Sequence, residues 1–330
     1  MSDFFPEFSR VFPSFLKKLE GKQLAVLGHL RPDGDSIGSQ IALCRVLRDR
    51  GVDAIAISPD PIPRVLSSFV GDTPFYADGK FEIDGRGAVC VDCADIVRIG
   101  KPLRQEFSKV LVNIDHHISN RNYAELNLVA PHASATSEIL AGIFFDLQIE
   151  FDAVTAQALF VGIATDTGQF RFPSTTKQVF AITSRLLEYG ADAASASLRL
   201  YEQESVGRLK LLERFLSSLT FECDGKICVG FLREGVYEEL GAQKEDSEGL
   251  VDYARALDGV EIGVLLEERE GLIKGSFRSK DAKHRVDKLA EQFNGGGHAC
   301  AAGFNCSGSI ETFYPRMVDT LGAHFCSSDS

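Results

Sequence analysis

The chain has 330 residues, 44% of them hydrophobic and 25% charged, with a net charge of −12. Such a length exceeds one ordinary core and suits two domains of a globular protein. With no apolar run near the roughly 20 residues of a membrane helix, no signal-peptide pattern at the start and no basic run for a long nucleic acid, a cytoplasmic protein with neither a membrane nor a long duplex as partner is expected.

A short amphipathic helix over about 8–19 leads into the first strand. Strands are predicted at 23–30, 53–58, 87–93 and 109–115, all short, rich in Val, Ile and Leu, and hardly alternating, as strands covered on both faces should be. Helices over 36–50, about 61–70 and about 95–107 lie between them, which makes a βαβ series and a mostly parallel sheet. Residues 134–190 read as nearly all helical, with Ser174 and Thr175 as N-cap residues after Pro173 and Gly190 as a stop. A further helical stretch over 192–218 reads as a connector. Beyond it come a hairpin over 219–233 turning at Asp224-Gly225, and a second strand pair around Glu270-Gly271. A helix in "RVDKLAEQF", the stretch "NGGGHACAAGF" and a last helix, "IETFYPRMVDTL", precede a tail, "CSSDS", expected to fray. The fold class is α/β: a domain over 1–191 with a mostly parallel sheet flanked by helices, the connector, and a smaller α+β domain over 219–330.

Four groups of ligand-type side chains fall where strands or helices end, the edge at which open α/β sheets bind ligands. "GHLRPDGDSIGS" carries His29, Asp33 and Asp35. Pro32 is expected to keep Arg31 extended, Gly34 permits a tight turn, and Ser36 can cap the next helix. The plain alternative is an Asx turn beside an incidental histidine. Asp92 ends the strand in "VCVDCAD" as a ligand or a turn former, with Asp95 the better cap for the helix after it. "VNIDHHISN" places Asp115, His116 and His117 at the end of the fourth strand, a trio that alone reads as structural. Asp166, in "GIATDTGQFRF", falls on the last turn of a mostly apolar helix, where a carboxylate opposes the helix dipole and calls for a metal or an arginine partner.

Together His29, Asp33, Asp35, Asp92, His116 and Asp166 offer carboxylates and imidazoles without a thiolate. That set favours Mn2+ or Mg2+ over structural zinc, with histidine tilting the choice to Mn2+. Four carboxylates match the charge of two divalent ions, and such a pair suits hydrolysis of phosphate esters. An anionic substrate also needs cationic clamps, for which His117, Arg278 and His298 are candidates. The run Gly295, Gly296, Gly297 reads as a backbone cradle for an anion or as a flexible turn, and Arg171 as a clamp or a surface residue. Eight cysteines read as reduced thiols; Cys90 and Cys93 form a C-x-x-C, but no second pair completes a zinc site.

In that order, "HLRPDGDSIGS", "VDCAD", "NIDHH" and "ATDTGQFRF" resemble the four motifs of the DHH phosphoesterase superfamily, and "FNGGGHACAAGF" resembles the signature of its DHH-associated C-terminal domain. The resemblance spans roughly residues 20–306. It implies a catalytic domain over 1–191, a substrate-binding domain over 219–330, and two Mn2+ ions. One ion would be held by His29, Asp33 and Asp92, the other by Asp35, Asp92, His116 and Asp166, with Asp92 bridging. It further implies that Asp115 supports the histidines and His117 contacts the scissile phosphate. Arg278 and the glycine loop with His298 would hold the substrate's nucleotide or other phosphate, in a cleft that closes about the connector. Lacking OB-fold, membrane or sensory segments, the chain looks most like the nanoRNase/pAp-phosphatase branch. That resemblance implies as substrates very short RNA, linear dinucleotides such as pGpG or pApA, and 3'-phosphoadenosine 5'-phosphate (pAp). A hydrolase of another small phosphoester, such as a cyclic dinucleotide, and a silent nucleotide-binding regulator stand as alternatives. Homodimers are common among such proteins, though no interface is legible. The division of roles requires the strand to end before His116, because adjacent strand residues point opposite ways.

Overall fold

The computed structural model describes residues 3–19, 21–77, 83 and 85–328, with the side chains of His298 and of residues 325–328 outside that description. The chain divides into two compact units, Met1–Gln203 and Glu204–Ser330.

In the first unit, α1 (Pro6–Leu19) precedes β1 (Gln23–Leu27), α2 (Gly34–Asp49), β2 (Asp53–Ile57), α3 (Arg64–Ser67), β3 (Phe75–Tyr76) and β4 (Gly87–Val91). Then come α4 (Lys101–Glu106), β5 (Val110–Asp115), β6 (Leu126–Val129), α5 (Thr136–Asp146), α6 (Ala153–Asp166), α7 (Lys177–Glu188) and α8 (Ala193–Tyr201). The six strands are parallel, in the order β3-β2-β1-β4-β5-β6. Leu24 and Val26 of β1 enter the core shared with α2, α5 and α6, while Ala25 and Leu27 face a smaller core closed by Ile99, Leu103 and Phe107. Burial on both faces is why these strands hardly alternate.

The chain runs outward from β1 to β3 and then returns to β4 on the other side of β1. A crevice opens at such a reversal, beyond the carboxyl ends of the two central strands. Helices α2, α5 and α6 pack closely over one face: a Cβ on Gly38 of α2 would lie 2.3 Å from the Ala158 carbonyl oxygen of α6, and one on Gly162 of α6 would lie 2.0 Å from Ser137 Oγ of α5.

Several local expectations are corrected. Arg31 is not extended but takes a φ of 55°, with its amide donating to Asp60 at 2.6 Å, a bond to a residue 29 positions away that outweighs the preference of a residue before proline. Asp33, not Ser36, caps α2, accepting from the Ser36 amide at 3.0 Å. The segment over 95–107 breaks at Gly100 (φ 82°) into a 3-10 turn, Ile96–Ile99, capped by Asp95, and α4. The run over 134–190 is three helices, and Thr176 caps α7 because a turn closed by the Thr175 amide on the Phe172 carbonyl delays the helix start. The stretch over 61–70 shrinks to α3, and the short edge strands β3 and β6 carry no apolar run long enough to announce them.

In the second unit, α9 (Val206–Ser217), β7 (Thr220–Glu222), β8 (Ile227–Leu232), α10 (Val236–Leu240) and α11 (Leu250–Ala256) precede β9 (Ile262–Arg269) and β10 (Leu272–Ser279). They are followed by α12 (Val286–Glu291), β11 (Gly296–His298), β12 (Ala301–Ser307) and α13 (Ile310–Ser328). The sheet order is β11-β12-β10-β9-β8-β7, antiparallel except for β8 beside β9. Both expected hairpin turns form, with left-handed φ at Asp224, Gly225, Glu270 and Gly271. Phe277, Leu289 and Met317 pack on one face of the sheet, and Leu211, Phe215 and Leu250 on the other. The stretch over 192–218 is two helices, α8 in the first unit and α9 in the second, separated at the boundary between Gln203 and Glu204. The last helix runs on through residues 326–328 of the tail; residues 329 and 330 lie outside the description.

Candidate metal centre

The reversal of strand order places three element ends side by side. His29 follows β1, Asp92 directly follows β4, and His116 directly follows β5. The strand therefore ends before His116, as the division of roles in the Asp-His-His trio requires. Asp92 takes a left-handed φ of 54° and is buried, a backbone state that few residues other than glycine adopt without compensation.

Asp92 faces both ways. Its Oδ2 lies 3.2 Å from His29 Nε2, and its Oδ1 lies 3.5 Å from His116 Nε2. His29 Nε2 also lies 3.6 Å from Asp33 Oδ2, while its Nδ1 sits 2.8 Å from the Leu30 carbonyl oxygen. A proton on Nδ1 suits that contact, whereas Arg98 Nη2, which can only donate, lies 3.2 Å from the same nitrogen. His116 Nε2 lies 3.2 Å from Asp166 Oδ2, and its Nδ1 lies 3.3 Å from the Ala133 carbonyl oxygen. Asp166 is the last residue of α6; a metal or an arginine is expected beside it from the sequence, and the side chain that meets it is this imidazole.

Asp35 reaches the site from the first turn of α2. It is fully buried, and its oxygens accept from the amides of Thr136 at 2.6 Å and Ser137 at 2.8 Å, the start of α5. A helix N-terminus is a natural seat for a carboxylate. Thus the residues form three overlapping sets with ligand atoms within 4.8 Å of one another: His29, Asp33 and Asp92; Asp35, His116 and Asp166; and Asp92, His116 and His117.

The electrostatics follow from this crowding. Burial and then the charge of Asp35 push the Asp92 carboxyl well above the usual carboxylate range. Burial likewise raises Asp166 to about 6, aided by Asp35 and Asp33 and only partly offset by His116. For His29, burial acts to lower the pKa, but Asp33 and Asp92 outweigh it and the ring is pushed up to about 10. His116 is also pushed up to about 10, because Asp166, Asp35 and Asp92 overcome the same effect of burial. Without a cation the imidazoles hold protons in its place, so the donor set fits a divalent ion in charge as well as in chemistry.

Asp115 does not face the cluster directly. Its Oδ1 accepts from His117 Nδ1 at 2.8 Å and its Oδ2 from Asn120 at 2.6 Å. Burial acts to raise its pKa, yet these partners hold the carboxyl below its ordinary value. Asn120, whose amide also reaches Asn113 at 2.6 Å, and the amides of Thr136 and Ser137 belong to the site though no sequence reasoning singled them out. The signal for Asn120 was its place in "DHHISN"; nothing local marks Thr136 or Ser137.

The remaining candidates stand elsewhere. Arg171 is exposed, with Nε donating to the Gly168 carbonyl at 2.7 Å. Arg278 lies on β10 in the second unit, half-buried, with Nη1 donating to the Phe277 carbonyl at 3.0 Å. Backbone register puts Arg278 opposite Ala301, and Ala301 opposite His298, in one row. The side chain of His298 lies outside the description. Residues Gly296 and Gly297 belong to the edge strand β11 rather than to a loose turn; a Cβ on Gly295 would lie 2.2 Å from the Gly303 carbonyl oxygen, and one on Gly297 2.5 Å from that of Ala301. Cys90 and Cys93 are buried and desolvation raises both thiols, Cys93 to about 12, which suits packed, protonated thiols.

A doubly wound parallel sheet with this cluster at its reversal point, followed by a mixed-sheet unit, defines the class: the chain belongs to the DHH family and is a hydrolase of phosphoester bonds. Residues 23–179 match the DHH family N-terminal domain and residues 224–323 match the DHHA1 domain. Over nearly its whole length it is similar to the bifunctional oligoribonuclease and PAP phosphatase NrnA of Thermus thermophilus, at 32% identity covering 96% of this chain and 94% of that one. The protein of the same name from Bacillus subtilis is 28% identical, covering 83% and 86%. Among solved structures, an exopolyphosphatase-related protein from Bacteroides fragilis shares the fold with a TM-score of 0.86, 24% identity and coverage of 97% and 96%. No helix among the described residues is long and apolar enough to cross a membrane.

Proposed function

We propose that the chain is a divalent-metal-dependent hydrolase of very short oligoribonucleotides, linear dinucleotides included, and of the 3'-phosphate of pAp. The observation that carries this reading is the two-sided Asp92, each of whose oxygens faces a separate set of nitrogen and oxygen donors. His29, Asp33 and Asp92 would hold one ion and Asp35, Asp92, His116 and Asp166 a second, with the imidazoles favouring Mn2+ over Mg2+. Bound divalent ions supply the charge that lowers the pKa of an attacking water and offsets that of the displaced oxygen. His117, its Nδ1 held by Asp115, turns Nε2 toward a phosphate oxygen of the substrate. Arg278, the Gly295–Gly297 stretch and His298 are assigned to the nucleotide portion, and Arg171 to a peripheral contact. The names of the relatives support these substrates. A net charge of −12 suits a substrate with few phosphates better than a long strand.

The test is hydrolysis with Mn2+ across a panel of linear dinucleotides, a pentanucleotide, a long RNA, pAp, cyclic dinucleotides and pyrophosphate. Dinucleotides and pAp are expected to turn over fastest. Preference for the long RNA or for a cyclic dinucleotide would refute the reading.

A further inference from the structure

The loop that follows Asp166 is strained, tightly held, and ends in a half-exposed aromatic ring. Gly168, Gln169 and Phe170 take successive left-handed φ values of 56°, 62° and 61°. For residues as bulky as glutamine and phenylalanine that state costs about 1–3 kcal/mol each and persists only where the surroundings impose it. They do so here. Thr167 Oγ1 donates to the Ile163 carbonyl at 2.7 Å and accepts from the Phe170 amide at 3.1 Å. The amides of Arg171 and Phe172 both donate to the Thr167 carbonyl at 3.0 Å. The Phe170 ring packs against Phe160 and stacks on Phe180.

All of this positions Phe172, which remains 51% exposed. Its ring lies over Gly168, where a Cβ would come within 2.4 Å of Phe172 Cζ. Gly168 is two residues beyond Asp166, so their Cα atoms are at most about 7.6 Å apart. Half of this apolar ring faces solvent, on a loop that begins at a carboxylate of the cluster, so core packing does not account for its exposed face. It does suit a ligand with a phosphate at one end and a flat apolar face at the other. Stacking on an aromatic ring tolerates every base, because each has a π-face.

We propose that Phe172 is the platform on which a nucleobase of the substrate stacks while the adjoining phosphate occupies the carboxylate–histidine cluster. This rests on the nucleotide substrates proposed above, and it makes Phe172 a determinant of specificity rather than of chemistry.

The test compares wild type with Phe172→Ala, Phe172→Leu and Phe172→Tyr, all loaded with Mn2+ and checked for metal content and melting temperature. Substrates are a linear dinucleotide and its analogue lacking both bases. Phe172→Ala and Phe172→Leu should raise KM for the dinucleotide roughly 5- to 140-fold, the equivalent of about 1–3 kcal/mol of stacking, and leave the base-free analogue unchanged. Phe172→Tyr should stay near wild type. Calorimetry of AMP against ribose 5-phosphate gives a readout independent of turnover: only AMP binding should weaken in the Ala and Leu variants. If wild type cleaves no dinucleotide, the proposed function fails, and the AMP comparison still decides the role of Phe172. Equal losses on both substrates, no loss on either, full activity of Phe172→Leu, or no wild-type preference for AMP over ribose 5-phosphate would each overturn the proposal.

Discussion

Gly162→Ala is expected to impair the active site through a residue that never touches substrate. Gly162 lies inside α6, and alanine there improves intrinsic helix propensity by about 1 kcal/mol. Its new Cβ would stand 2.0 Å from Ser137 Oγ, 2.7 Å from Ser137 Cβ and 2.9 Å from Asp35 Oδ1. Ordinary contacts between such atoms are about 3.5–4.0 Å, so Ser137 must retreat by an ångström or more. Overpacking of that kind costs about 1–3 kcal/mol, leaving a net loss of about 0–2 kcal/mol after the gain in propensity. At roughly 2–4 °C per kcal/mol for a unit of this size, the melting temperature should fall by no more than about 8 °C. Activity should suffer far more. The Ser137 amide that retreats is one of the two holding Asp35, and an ångström of misplacement at a catalytic site costs about 100-fold. Steady-state kinetics, Mn2+ titration and thermal melting on one preparation decide the matter. A kcat/KM within threefold of wild type would refute the packing logic, whatever the melting temperature does.

Asp92→Ala removes the carboxylate that faces both donor sets, so turnover of every substrate should vanish and Mn2+ content should drop; near-normal turnover would contradict a shared ligand. Chelation should abolish activity and Mn2+ restore it, with saturating ion at about 100-fold over Kd stabilising the fold by about 2.7 kcal/mol. His29 and His116, pushed up to about 10, are protonated at pH 7 and must lose those protons to coordinate, so Mn2+ affinity should rise with pH above 7. Calorimetry in buffers of different ionisation enthalpy should report proton release on binding, and its absence would place the ion elsewhere. Arg278→Ala should raise KM several-fold with unchanged metal content; a parallel loss of metal would remove Arg278 from the substrate role.

The sequence makes the cluster's members legible because each follows a recognisable element. His29, Asp92 and His116 come after apolar strand runs, and Asp166 closes an apolar helix. What remains illegible is whatever depends on distant backbone. The amides that hold Asp35 come from residues 101 and 102 positions further along, and no local pattern advertises a helix N-terminus aimed at a carboxylate. Arg31 is a second case, where a sound steric preference ahead of proline yields to one hydrogen bond donated by its amide to Asp60. The glycine run had two readings, loop or cradle; neither foresees an edge strand, because glycine disfavours strands unless a neighbouring backbone must come close.

The donor groups of the cluster span residues 29 to 166 and come from the ends of three strands and two helices. The whole set is complete only when β1, β4 and β5 are paired and α5 and α6 have docked on the sheet. A divalent ion therefore has no complete set of donors on a partly folded chain, unlike a zinc finger whose ligands are close in sequence. Assembly of the full donor set is gated by folding of the first unit, so a partly folded chain presents only fragments of the centre.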